Sequence, residues 1–438
     1  MNTTTNAAAT RARALTGVRR FFYVLVVLAA WNAVLRPSVS IPVTPYYLLA
    51  PVVAAWLLAN DPPFRRWIAW FGAASLYALT IGLVYGVPLM MQLAQLLKYF
   101  QLLVFFGMLA WLLRTDPQAP RKLVRIVMWL GVAVFVIAAL QAATGFEFPT
   151  VVNEESALWL NTFFFTPNDL ALFLCGIVAM ALVSRMPLVS KAAIIGLVCA
   201  LNLRNDAKAG LLAIALMVTM TLLLAVCRRT RTRPIAALAL LAVAVPLVVV
   251  ALAETTFGTE DTDFDFLQLF LDPLQHLMAL EPYDLGGSIF DRTDALIHSL
   301  TALRSMAWLG LGPGGSVYTL SLPNFELLTA KSLHNALAEL LVELGPVMVI
   351  LAWIVLRPVL RALWRRDSTT RDRGRMLLLV AAPMLSVSQS SGYISNYAFW
   401  LAAYVLWFWR VAETAPRRRP AKRPVRRLPP SVSQAVPA

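Results

Sequence analysis

The stretch Lys331–Leu356, KSLHNALAELLVELGPVMVILAWIVL, decides how the chain is read. From Ala336 onward it is almost wholly apolar. It is also long enough to cross a hydrocarbon core, which takes about 20 helical residues. Yet it opens with His334 and Asn335 and carries Glu339 and Glu343 inside. Asn335, Glu339 and Glu343 recur every four residues, so they share one helical stripe. A charged side chain facing lipid costs about 2.5–3.5 kcal/mol at a helix centre on insertion scales. The stripe is therefore expected to face the bundle interior or a wet cavity. His334, about 100° round the helix from Asn335, stands where loop becomes helix.

The rest of the chain repeats this apolar texture. Of 438 residues, 59% are hydrophobic and 14% charged, which excludes a disordered chain and strains a soluble one. The apolar residues fall in blocks of membrane-crossing length, with no alternating barrel-strand pattern. The expected fold is all-α, a polytopic membrane protein of about 12 spans. These lie near 20–35, 46–59, 67–85, 89–113, 121–144, 161–183, 187–203, 209–227, 234–254, 335–356, 375–392 and 396–411. The run before Phe21, RARALTGVRR, reads as the flank of a signal anchor.

Lys and Arg stay on the cytoplasmic side of a membrane protein. With the N-terminus inside, nearly all 38 Lys and Arg fall on inside segments. The exceptions are Arg36, Arg204, Lys208, Arg292, Arg304 and Lys331 outside, and Lys98 within a span. Both termini are then cytoplasmic, and the net charge of +15 is a topology signal that needs no nucleic-acid partner. The organisation that follows is a basic N-terminus at 1–20, spans one to nine over 21–254, an external loop at 255–333, spans ten to twelve over 334–411, and a basic tail at 412–438 expected to be disordered. The external loop is rich in Asp and Glu. Two of its segments have helical spacing: 264–280, amphipathic enough to lie in the membrane interface, and 291–306, with Asp291 as its expected cap.

The external cations stand out against this acidic loop. Arg204, Lys208 and Arg292 together have the chemistry of a phosphate clamp, the arginines as bidentate forks and the lysine as a point charge. His334 is the residue type that trades protons near neutral pH, so it is the candidate general base. Pro167 breaks the sixth span beside Asn168 and Asp169. Gln92, Gln95 and Lys98 share a face of the fourth span, and an ionisable residue at that depth is a functional candidate or a packing partner for Asp169 or Glu343. Cys175, Cys199 and Cys227 stand singly, and no metal-ligand spacing occurs, so no metal or cofactor is expected. Gly310, Gly312 and Gly315 match G-x-G-x-x-G, but in an external loop without a βαβ unit the dinucleotide reading is rejected. A tight turn, or backbone amides near a pyrophosphate, remain as alternatives.

Four segments together resemble the O-antigen ligase and polymerase family of bacterial envelope glycosyltransferases. FFFTPNDLALFL (163–174) is similar to the family's Pro-Asn-centred span. LRNDAKAGLLAI (203–214) is similar to its outer turn, and DRTDAL (291–296) with WLGLGPG (308–314) to its loop Arg and following Gly-x-Gly. HNALAELLVELG (334–345) is similar to its His-Asn signature and trailing Glu-x-Gly. The resemblance implies transfer of a glycan from a polyprenyl diphosphate to a sugar hydroxyl at the periplasmic face of the inner membrane, without metal or cofactor. It implies His334 as the residue that orients or deprotonates the acceptor hydroxyl. Arg292, Lys208 and Arg204 would hold the diphosphate, with Asn335, Glu339, Glu343, Asn168, Asp169 and Lys98 in support. The implied partners are the lipid-linked glycan, an acceptor glycan or lipid A core, and the bilayer. The outer turn departs from the family by placing Lys208 where Arg is usual, and the stretch before Gly310 lacks an expected Pro. Ligase and polymerase both remain open, with a slight lean to polymerisation from the Lys208 departure. A proton-coupled transporter, built on Lys98, Asp169, Glu339 and Glu343, is the rival from another class.

Overall fold

The computed structural model describes residues 3–37, 43–148, 160–205, 207–236, 238, 288–322, 333, 335–365, 369–386 and 394–408. The described residues are helical, with no strand among them. In chain order the helices are α1 (Thr3–Ala30), α2 (Pro45–Asn60), α3 (Pro62–Tyr85), α4 (Leu89–Thr115), α5 (Ala119–Thr144), α6 (Pro167–Val183), α7 (Leu188–Arg204) and α8 (Lys208–Thr230). They continue as α9 (Ser288–Ser305), α10 (Gly315–Leu320), α11 (Ala336–Leu344), α12 (Pro346–Leu363), α13 (Thr370–Ser386) and α14 (Tyr397–Trp407). Helices α3, α4, α5, α8 and α12 are long and apolar enough to cross a membrane. The chain is a multi-pass membrane protein.

Local chemistry sets the helix ends. Thr44, Thr166, Asn335 and Asn396 each accept a backbone N–H from the first turn of the helix they open. Pro45 and Pro167 sit at first-turn positions, where a missing N–H costs nothing. The main core is built from these helices at close range. Phe22, Trp56 and Trp111 meet edge to face with centroids 5.0–5.3 Å apart. A Cβ on Gly176 would lie 2.9 Å from Ala402 Cβ, so α6 and α14 cross through small residues, as membrane helices favour.

The bundle has two chemically distinct ends. At one, Arg19 donates to the Thr115 carbonyl, Arg114 pairs with Asp61 at 2.6 Å, and Lys122 pairs with Asp116 at 2.7 Å. Arg371 and Arg375 donate to the Trp407 carbonyl from the start of α13. At the other, Thr44 donates to Asn32 at 2.6 Å, Asn32 to the Tyr47 hydroxyl at 3.1 Å, and Tyr47 to Ser395 at 3.0 Å. That polar network joins the end of α1 to the starts of α2 and α14.

Four expectations need correction. The stretch 335–356 is not one helix: Gly345, at φ +51 and ψ −123, separates α11 from α12, which then runs to Leu363. The sixth helix starts at Pro167 rather than near 161, because Thr166 caps it. Asp291 is no cap, since α9 begins at Ser288 and Asp291 lies inside it. Lys98 makes no ion pair with Asp169 or Glu343; its attraction is to Glu339. The segments 264–280 and 412–438 and most of 234–254 lie outside the described residues.

Candidate functional site

The polar end opposite the paired arginines gathers the sequence-derived residues in two groups. The first surrounds α11. Asn335 caps this helix through its side chain, which accepts from Ala338 N–H at 3.1 Å. Glu339 and Glu343 follow on the same stripe, both 1% exposed, as the cost of charge against lipid requires. Glu343 is caged. It accepts from Tyr99 at 2.8 Å and Gln95 at 3.4 Å, both on α4, and from Ser316 on α10 at 2.9 Å. Glu339 is different: its Oε2 has no hydrogen-bond partner.

The Gly-rich segment resolves as a tight turn that closes α11. The N–H groups of Leu311 and Gly312 donate to the carbonyls of Val342 (2.8 Å) and Glu343 (3.1 Å), which the helix end leaves open. Those two amides are thereby occupied, which removes them as pyrophosphate donors. Gly312 is required at its position: its φ is +83 and an added Cβ would lie 2.3 Å from Gly82 Cα. The same contact presses the turn onto α3, where Tyr77 also donates to the Leu309 carbonyl at 2.7 Å. Leu333 and Val342 share a second, smaller core with Ala295, Leu303, Leu311 and Leu320, so α9 is packed against α11.

The second group surrounds the start of α6. Asn205, at the α7–α8 turn, clasps Leu160 from both sides: it accepts from Leu160 N–H at 2.8 Å and donates to Leu160 O at 3.0 Å. Gln141 at the end of α5 accepts from Thr162 N–H at 3.0 Å. Thr162 is held at φ +53, an uncommon conformation for a β-branched residue and a mark of local strain. Asp169 is 3% exposed; its Oδ2 accepts from Thr166 at 3.2 Å while Oδ1 has no partner. Asn161 Oδ1, Thr162 Oγ1 and Asn202 Nδ2 are likewise buried without partners. A small cavity of about 10 Å3, room for one water, opens beside Asp169, Asn32, Ser395 and Asn396.

Most of the other sequence-derived residues can be located. Arg204 is the exposed last residue of α7, and Asn168 lies half-buried in the first turn of α6. Lys208 opens α8 and Arg292 lies in the first turns of α9, but their side chains, and His334 entirely, are outside the described residues. Sequence reasoning missed Tyr99, Ser316, Asn202, Asn205 and Asn396. The available signal was an amide or hydroxyl inside an apolar run, a group that needs a partner once buried. Among the described residues, no group of three or more His, Cys, Asp or Glu has a metal-holding arrangement.

No family model and no curated protein matches this sequence.

Proposed function

We propose that the chain is an inner-membrane glycosyltransferase that moves a glycan from a polyprenyl diphosphate to a sugar hydroxyl on the periplasmic face. The same reading takes the paired-arginine end as cytoplasmic, with about twelve spans and both termini inside. The observation that carries it is the gathering, at the opposite end, of the segments behind the family resemblance. Asn205 joins the LRNDAK turn to the strained loop ahead of the PND helix. The Gly-rich turn and α9 are fastened to the helix that Asn335 caps, next to His334 in the sequence.

In this reaction the acceptor hydroxyl oxygen attacks the anomeric carbon of the donor. The bond from that carbon to the diphosphate oxygen breaks, and polyprenyl diphosphate leaves. His334 takes the hydroxyl proton. Arg292, Lys208 and Arg204 stabilise the negative charge that grows on the leaving group. The Glu343 cage holds α11 against α4 and α10. The acceptor is lipid A core for a ligase and a second lipid-linked glycan for a polymerase.

The test is an envelope glycan profile of a deletion strain complemented with wild type or His334→Ala. Long chains restored by wild type alone support transfer. Single repeats left on lipid A core then mean a polymerase, and unattached lipid-linked long chains a ligase. An unchanged profile in cells that make the protein and a surface polysaccharide refutes the reading. The unpartnered oxygens of Glu339 and Asp169 favour one second reading, proton-coupled transport. Transport predicts that Lys98 and Asp169 are essential while Arg292→Ala and His334→Ala keep uptake.

A further inference from the structure

Helix α12 carries a feature that the transfer reading does not use. Its last turns and the two residues that follow present Trp353, Arg357, Leu360, Arg361, Trp364 and Arg365 around one groove of about 520 Å3. At 100° per residue the four helical positions, Trp353, Arg357, Leu360 and Arg361, fall on a single face. The opposite face, Val359, Ala362 and Leu363, is buried in the main core. The groove therefore looks away from the bundle.

Three properties define what would fill it. First, Arg357, Arg361 and Arg365 repeat every four residues, so neighbouring like charges repel. Among the described residues none of the three has an ion pair. Guanidinium forks match phosphate oxygens in pairs. Second, Trp353 and Trp364 are each 58% exposed at the two ends of this basic patch. Tryptophan favours the headgroup level of a bilayer, with its ring in the apolar layer and its N–H toward the polar one. Third, the helix leading into the groove is open to hydrocarbon: Ile350 and Ile354 are 60% and 61% exposed on a helix long and apolar enough to cross a membrane. An occupant with an anionic head and an apolar tail meets all three conditions, which neither a soluble anion nor an acidic peptide does.

We propose that the α12 groove is a binding site for an anionic phospholipid. The phosphate sits among Arg357, Arg361 and Arg365, and an acyl chain runs along Trp353 and Leu360. The inference does not depend on the transferase reading.

The experiment uses the full-length protein purified in a mild, delipidating detergent and examined by native mass spectrometry with added phosphatidylglycerol or phosphatidylcholine. Wild type is expected to retain one phosphatidylglycerol at least ten times better than phosphatidylcholine, and inorganic phosphate is not expected to displace it. The triple variant Arg357→Gln, Arg361→Gln, Arg365→Gln should lose that preference. Because removing three positive charges can also disturb membrane orientation, the triple Arg→Lys variant is measured beside it. It keeps the charge and the orientation signal but has no forks, so its retention should fall about tenfold. Unchanged retention in the Arg→Lys variant, or equal retention of the two lipids by wild type, overturns the proposal. So does displacement by inorganic phosphate alone.

Discussion

Asp61 and Asp116 at one end of the bundle, and Asp169 and Glu339 at the other, are all buried, yet their surroundings differ in kind. Asp61 holds Arg114, and Asp116 holds Lys122 while accepting from Tyr23 at 2.9 Å and Gln118 N–H at 2.8 Å. These contacts tie α1 and α2 to α4 and α5. Asp169 and Glu339 each keep an oxygen with no hydrogen-bond partner from the protein among the described residues. Leaving a buried polar group without a partner costs about 1–3 kcal/mol, and beside Asp169 the cavity has room for a water to supply one. The comparison teaches where the fold spends its polar groups on holding helices and where it holds them ready for something else. Glu343 belongs to the first kind although it stands one turn from Glu339.

That contrast is broken most directly at Glu343. Glu343→Ala leaves Tyr99, Ser316 and Gln95 without their acceptor, while the backbone carbonyls that hold the Gly-rich turn stay in place. The expected loss is about 1–3 kcal/mol for a buried donor left unsatisfied, summed over these contacts and seen as a large drop in the thermal midpoint of the purified protein. A midpoint equal to wild type would place Glu343 with Glu339 and remove the distinction.

Acid sharpens the comparison at the other end. Burial alone would raise the Asp116 carboxyl, but Lys122, the Gln118 amide and the Tyr23 hydroxyl outweigh it and hold the group below the ordinary carboxylate value. A depressed folded-state value means the stabilisation is present at neutral pH. It is lost as pH falls through that value, below about pH 4. The Lys122 side chain is 43% exposed, so the pair is worth at most about 1 kcal/mol. Asp116→Asn should remove at neutral pH what wild type loses only in acid. Parallel stability curves for the two proteins would contradict this.

Two smaller effects test the polar end. Thr162→Gly relieves the left-handed strain and should stabilise by about 0.5–1 kcal/mol, the backbone freedom of Gly offsetting part of the relief. A loss of stability would mean that the Thr162 side chain is engaged. Asp169→Asn should change the thermal midpoint least, because the amide keeps one oxygen as the acceptor for Thr166 and no protein partner of Oδ1 is lost, while glycan transfer falls. A large drop in the midpoint would reassign Asp169 to the structural set.

Much of the fold was legible because lipid imposes one rule, the apolar block, and helix ends obey local ones. Thr44, Gly86, Gly145 and Asn396 sit at or just outside helix boundaries that hydropathy also marks. The break at Gly345 was hidden because an apolar run looks the same with or without a hinge. The hinge is set by Leu309, whose carbonyl oxygen an added Cβ would approach to 2.5 Å. In the site, the Glu339–Glu343 stripe and its burial followed from the cost of charge against lipid. Their opposite surroundings did not, because Tyr99, Gln95 and Ser316 arrive from helices far away in sequence. Asn202 and Asn205 looked like ordinary turn residues; only the clasp on Leu160 distinguishes Asn205.

The central claim, transfer of a lipid-linked glycan at the polar end, is tested most directly with the purified protein in liposomes. Polyprenyl-diphosphate-linked glycan and an acceptor are supplied, and the elongated or ligated product is measured for wild type, His334→Ala and Arg292→Ala. The account predicts product with wild type and a loss of about 100-fold or more with His334→Ala, the scale of a general base. Arg292→Ala should fail alongside it, with both variants folded. Equal product from His334→Ala and wild type, or no product from any of them while wild type carries a proton-coupled solute across the membrane, would contradict it.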